Sequence, residues 1–96
     1  MNTANHTKTG NDAFELVGAL DIYAAESVRE VMLTRFKDTD EITLDLGKVE
    51  TCDTAGIQLL LAARRKATEG ARTLRFSNFS PAVRDCCQCL GLPENL

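Results

Sequence analysis

The fold is decided by residues 44–61, LDLGKVETCDTAGIQLLL. Apolar and polar residues alternate over residues 41–46, which predicts a strand with one buried face. Ile57, Leu60 and Leu61 then recur at the spacing of a helix. We therefore predict a buried strand, a short loop and the start of a helix, in that order.

Asp53 and Thr54 lie at the predicted start of this helix, where side-chain oxygens accept hydrogen bonds from unpaired N–H groups. The Thr54 hydroxyl would also lie at the positive end of the helix dipole, which favours a phosphate, whereas the Asp53 carboxylate would repel one. Two interpretations stay open. Both residues act only as caps, or Thr54 is a switch whose phosphorylation adds a charge of about −1.5 to −2 that a partner senses.

The helix is predicted to run from Thr54 to Glu69, with Gly70 as its stop. Its apolar face is formed by Ile57 and the residues that follow it at helical spacing, while Leu59 and Ala62 point largely the other way. Either the domain covers this helix on both sides, or Leu59 and Ala62 form a partner surface beside Thr54.

The rest of the chain shows the same two periodicities. They predict a strand around residues 14–17, a short second strand or bend at 19–20, a helix over 23–36, a strand over 73–77 and a helix that begins at Ser80-Pro81 and ends at Gly91. Residues 1–12 show no periodicity and are predicted to be a flexible tail. Strands that alternate with helices predict an α/β domain with right-handed crossovers and a partly parallel sheet.

Composition excludes several functional classes. The 96 residues are 44% hydrophobic and 26% charged, as in one ordinary globular domain, and the net charge of −3 gives no sign of nucleic-acid binding. No apolar run is long enough to span a bilayer, and the N-terminus lacks the apolar stretch of a signal peptide, so we expect no membrane insertion and a cytoplasmic location.

Five short pieces, in this order and spacing, resemble the STAS domain, the fold of bacterial anti-sigma factor antagonists. They are GALD (18–21), LDL with the following Val49 (44–49), DTAG (53–56), Gly70 before a strand, and SPAV leading to LGL (80–92). The resemblance covers roughly residues 14–92. It implies one STAS domain over residues 13–96, with a mixed, mostly parallel sheet of about four strands and helices packed mainly on one face.

The resemblance also implies a function without catalysis or cofactors. Well-known members bind a GHKL-type serine/threonine kinase that is also an anti-sigma factor; the kinase phosphorylates the residue after the motif aspartate, and a PP2C-type phosphatase resets it. By position, that acceptor is Thr54, a threonine where serine is commoner. The implied partner surface comprises Asp53, Thr54, Ala55, Gly56, Gln58, Leu59 and Ala62.

Other STAS branches keep the DTAG motif without phosphorylation. One is a small subunit that binds the ATPase of an ABC phospholipid transporter, and another resembles domains linked to chemotaxis signalling. Both remain alternatives to the kinase partner.

The competing hypothesis, that the chain has a catalytic or metal site, rests on Cys86, Cys87 and Cys89. These residues lie late in their predicted helix, where the dipole disfavours a thiolate, and a zinc site would need a further ligand. We therefore expect small apolar core residues and one exposed thiol rather than a catalytic or metal site.

Overall fold

The computed structural model describes residues 12–93. Strands and helices alternate along them in the order β1 (Asp12–Leu20), α1 (Ile22–Arg35), β2 (Glu41–Cys52), α2 (Thr54–Glu69), β3 (Thr73–Ser77) and α3 (Pro81–Cys89). The strands pair in parallel as one sheet in the order β1-β2-β3. The α/β class is confirmed. The predicted tail lies outside the described residues except for Asp12, which begins β1.

The sheet has three described strands rather than about four, because residues 12–20 form one bent strand and not two. Gly18 has a φ of +93°, a conformation that glycine adopts without strain. The pairing of β1 with β2 shifts register between Glu15 and Val17 and again between Gly18 and Ala19. Two irregularities therefore bend the strand, and the backbone beyond Gly18 stays paired.

β2 extends further than predicted. We expected a strand over residues 41–46 followed by a loop, but β2 continues to Cys52. The continuation is set by tertiary pairing: Lys48, Val49, Thr51 and Cys52 lie opposite the bent half of β1. Val49 is only 3% exposed and joins the core. Only Asp53 separates the strand from α2.

The helices pack on the face of the sheet that carries the buried residues of β2, as predicted. Both crossovers step in the same direction along the sheet, and right-handed connections then place α1 and α2 on the same side. The fully buried large side chains come from all three strands and all three helices: Leu20, Ile42, Leu44, Leu46, Ile57, Leu60, Leu74, Val28, Val83 and Cys87.

The opposite face of the sheet carries exposed ion pairs. Arg75 of β3 forms an ion pair of 2.7 Å with Glu41 of β2, and Lys48 lies 3.6 Å from Glu15 of β1. Because solvent reaches these pairs, each adds little to stability.

Candidate partner-binding site at the start of α2

Asp53 is the N-terminal cap of α2. Its backbone is extended, and its Oδ1 accepts a hydrogen bond of 2.8 Å from the N–H of Gly56. The backbone N–H of Asp53 in turn donates to the carbonyl oxygen of Leu20, at 3.1 Å. The cap is thereby anchored to the end of β1, and it fixes where α2 begins.

Thr54 is the first residue of α2, and its side chain is exposed to solvent. Of the two capping residues considered from sequence, Asp53 fills the capping position, so the Thr54 hydroxyl lies beyond it at the positive end of the helix dipole. The first turn of α2 holds no acidic residue, so Asp53 is the carboxylate next to Thr54 along the chain. A phosphate on Thr54 would meet a favourable dipole and the like charge of the Asp53 carboxylate.

Gly56 allows α2 to lie directly against β1. A Cβ atom at this position would lie 2.5 Å from the carbonyl oxygen of Leu20 and 2.8 Å from its carbonyl carbon. Only glycine permits so close an approach of helix to strand. The glycine of the DTAG motif is thus buried and sets the distance between α2 and β1, a contact that the local sequence does not reveal.

The start of α1 lies beside the start of α2, because β1 and β2 are neighbours and their carboxyl ends share one edge of the sheet. Asp21 caps α1 as Asp53 caps α2, with Oδ1 accepting from the N–H groups of Tyr23 and Ala24 at 3.1 and 3.0 Å. Ile22 and Tyr23 are 49% and 77% exposed, respectively. An exposed apolar patch therefore adjoins the start of α2, where exposed aromatic and aliphatic side chains favour protein contacts.

The predicted surface residues divide into two groups. Exposed residues are Asp53, Thr54, Ala55, Gln58, Leu59 and Ala62, whereas Gly56 is buried. Leu59 is 43% exposed. Residues 12–93 leave open the side of α2 that carries Leu59 and Ala62, which favours the interpretation that these two residues form a partner surface.

Cysteines of β2 and α3 lie close together, a neighbourhood that the sequence did not reveal. Cys52, the last residue of β2, donates its thiol to the carbonyl oxygen of Asp53 at 3.7 Å, and Cys86 of α3 interacts with it electrostatically. Burial, followed by the interaction with Cys86, raises the pKa of the Cys52 thiol, and burial also raises that of Cys87. The reactive thiolate is disfavoured in both, as expected for packing residues. Cys89 is exposed.

Residues 12–93 contain no group of three or more His, Cys, Asp or Glu side chains placed to hold a metal ion. None of the helices in this range is both long and apolar enough to cross a membrane.

Comparisons with known proteins agree with this geometry. A family model described as "Mlab, STAS domain" matches residues 5–96, so the chain belongs to the STAS domain family. The structure of the anti-sigma factor antagonist SpoIIAA in its unphosphorylated form is similar, with a TM-score of 0.68 and 27% identity over 91% of this chain and 76% of that one.

The STAS domain of a SulP transporter from Vibrio cholerae shares the fold, with a TM-score of 0.64 and 22% identity over 84% of this chain and 63% of that one. Among curated proteins, none matches the chain.

Proposed function

We propose that this chain is a non-enzymatic cytoplasmic regulator that binds a GHKL-type serine/threonine kinase acting as an anti-sigma factor, and that phosphorylation of Thr54 switches the binding off. The observation that carries the proposal is the exposed Thr54 hydroxyl at the first position of a capped helix. The similarity to SpoIIAA, an anti-sigma factor antagonist, supports the same class of partner.

The switch is electrostatic. A phosphate on Thr54 adds a charge of about −1.5 to −2 and three acceptor oxygens. Because Asp53 already binds the N–H of Gly56, the cap stays in place and α2 keeps its start. What changes is the charge of the exposed surface around Thr54. A partner that fits the neutral hydroxyl would then bury the phosphate charge in the interface, either next to a group of like charge or with no group of opposite charge. Either contact weakens binding. A PP2C-type phosphatase would restore the unmodified surface.

Calorimetric titration of the kinase with variants of this chain tests the proposal. Thr54→Ala should bind as the wild type does, because the exposed hydroxyl contributes little contact area. Thr54→Glu should bind about tenfold more weakly or worse, because it adds a charge at the interface.

Gln88→Glu on the exposed surface of α3 is the matched control, since it adds the same charge at another site and should bind normally. If Thr54→Glu binds as tightly as Gln88→Glu, the charge switch is refuted.

A second candidate function uses the same surface without phosphorylation. In it, the chain is a subunit that binds the ATPase of an ABC phospholipid transporter, with Thr54 as a contact residue. The observation in its favour is that the matching family model carries the name Mlab, STAS domain, and not that of anti-sigma factor antagonists. The same titration with the ATPase in place of the kinase separates the two. Only the ATPase should bind if this candidate holds, and Thr54→Ala should then weaken binding.

A further inference from the structure

A groove of about 690 Å³ runs between α1 and α2 on the outer side of the helical layer. Its walls are two facing helical stripes. One stripe follows α1 at every third or fourth position from Ile22 and ends at Phe36, the residue that caps its C-terminus. The other follows α2 from Leu59 and ends at its C-terminal cap, Gly70. Residues at this spacing share one face of a helix, so the groove follows the helix axes. It is therefore long and open rather than a closed cavity.

The groove is apolar, and it is not covered by the described chain. Leu33 is 64% exposed, and Ile22 and Leu59 are 49% and 43% exposed. Small side chains, among them Ala25 and Ala62, line the groove and leave room for the backbone of another segment to approach. Exposed apolar side chains gathered along one groove are typical of a protein contact.

The charges along the groove are mainly positive. Arg29, Lys66 and Arg72 line it, against the single carboxylate of Glu26. Arg72 also stands 4.0 Å from the exposed Asp40, so part of its charge is balanced. The protein as a whole carries a net charge of −3, so this positive lining contrasts with the rest of the molecule.

The charges are also unevenly placed. The groove begins with Ile22 of α1 and with Leu59 of α2, more than one helical turn past Thr54. Lys66 and Arg72 lie toward its far end, at and beyond the last turn of α2. An occupant should therefore be apolar along one side and negatively charged on its flanks, with most of the negative charge toward that far end.

We propose that this groove binds an acidic amphipathic helix of a partner protein. α1 has 14 residues, so the groove is about 21 Å long at 1.5 Å per residue. Two parallel helical stripes with an apolar floor accept the apolar face of a third helix, the helix-in-groove mode of recognition. This proposal rests on the proposed function in one respect, that the occupant of the groove is a protein. Binding in the groove does not require phosphorylation of Thr54.

A pair of synthetic peptides tests the proposal. Each has about 14 residues, leucines at helical spacing on one face, and flanks of glutamate in one peptide and lysine in the other. Titration into the ¹⁵N-labelled full chain, followed by amide chemical shifts, should show the acidic peptide binding about tenfold more tightly, with shifts along α1 and α2 and weaker binding at high salt.

Lys66→Glu should abolish this preference for the acidic peptide. Arg65→Glu is the matched control, because Arg65 is exposed on the same helix but does not line the groove, and it should leave the preference unchanged.

The proposal is overturned if the two peptides bind with equal affinity, if neither binds, or if both substitutions have the same effect. It is also overturned if the chemical shifts change outside the groove, or if a second copy of the chain occupies the groove. Thr54→Glu should bind the acidic peptide as the wild type does. Failure of the groove is therefore distinguishable from failure of the phosphorylation switch.

Discussion

Replacing Gly56 by alanine tests whether α2 is held against the end of β1. The new Cβ would lie 2.5 Å from the carbonyl oxygen of Leu20 and 2.8 Å from its carbonyl carbon. Because these are backbone atoms, they cannot rotate away as a side chain could. The clash is relieved only if the start of α2 moves away from β1, and Thr54 would move with it.

The size of the effect follows from two opposing terms. Overpacking a well-packed site typically costs about 1–3 kcal/mol, and a contact this short belongs at the upper end. Alanine favours a helix over glycine by about 1 kcal/mol, which offsets part of that cost. We therefore expect Gly56→Ala to lower the free energy of unfolding by about 1–2 kcal/mol, with about 4–8 °C lost in Tm for each kcal/mol in a domain of this size.

Gly70→Ala is the matched control, since Gly70 ends the same helix. It has a φ of −92°, and its Cβ would lie 3.6 Å from the nearest atom outside its immediate neighbours. Alanine fits this conformation, so we expect no loss of stability and a gain of at most about 1 kcal/mol. Urea unfolding followed by circular dichroism measures both variants. The proposed contact is refuted if Gly56→Ala is as stable as the wild type or as Gly70→Ala.

Three further predictions concern charges and caps. Asp53→Ala should lower the free energy of unfolding, measured in urea, by about 0.5–2 kcal/mol because it removes the cap of α2. Asp53→Asn keeps a capping side chain and should retain most of the wild-type stability. Asp45 accepts hydrogen bonds from the N–H of Gly47 and from Asn78, which lower its pKa below the ordinary 3.8. The stabilisation from Asp45 is therefore present above that value and lost as the pH falls through the lowered pKa; in an NMR titration Asn78→Ala should raise the pKa. Gln58→Glu, one turn after Thr54, should weaken kinase binding in calorimetry, and normal binding would exclude that turn from the interface.

Local pattern was enough to place the helices. α2 begins at Thr54 and ends at Glu69 as predicted, because an acidic cap, a helical apolar stripe and a terminal glycine all act within the segment itself. Ser80 caps α3 by accepting a hydrogen bond of 3.3 Å from the N–H of Val83, again a local interaction.

The strands were harder to predict because their ends depend on partners distant in sequence. Residues 47–52 have a weak strand pattern, yet they pair with the bent half of β1. For residues 19–20 the sequence left a second short strand or a bend open, and the positive φ of Gly18 shows that a single strand bends there. Pairing across the sheet overrode local preference in both places.

The exposed position of Thr54 followed from the predicted helix start, but its surroundings did not. The contact of Gly56 with Leu20 and the groove between α1 and α2 both require elements that meet only in the folded chain. A one-dimensional pattern shows which residues share a face of one helix, and not which other helix lies opposite that face.

The central claim is that Thr54 receives the phosphate that controls the partner. The most direct measurement is mass spectrometry of the wild type and of Thr54→Ala after incubation with ATP and the GHKL-type kinase that binds the chain. We predict one phosphate on the wild type, located on Thr54 by peptide fragmentation, and none on the variant. Phosphate on another residue, equal phosphorylation of the variant, or no phosphate with a kinase that binds the chain would contradict the claim.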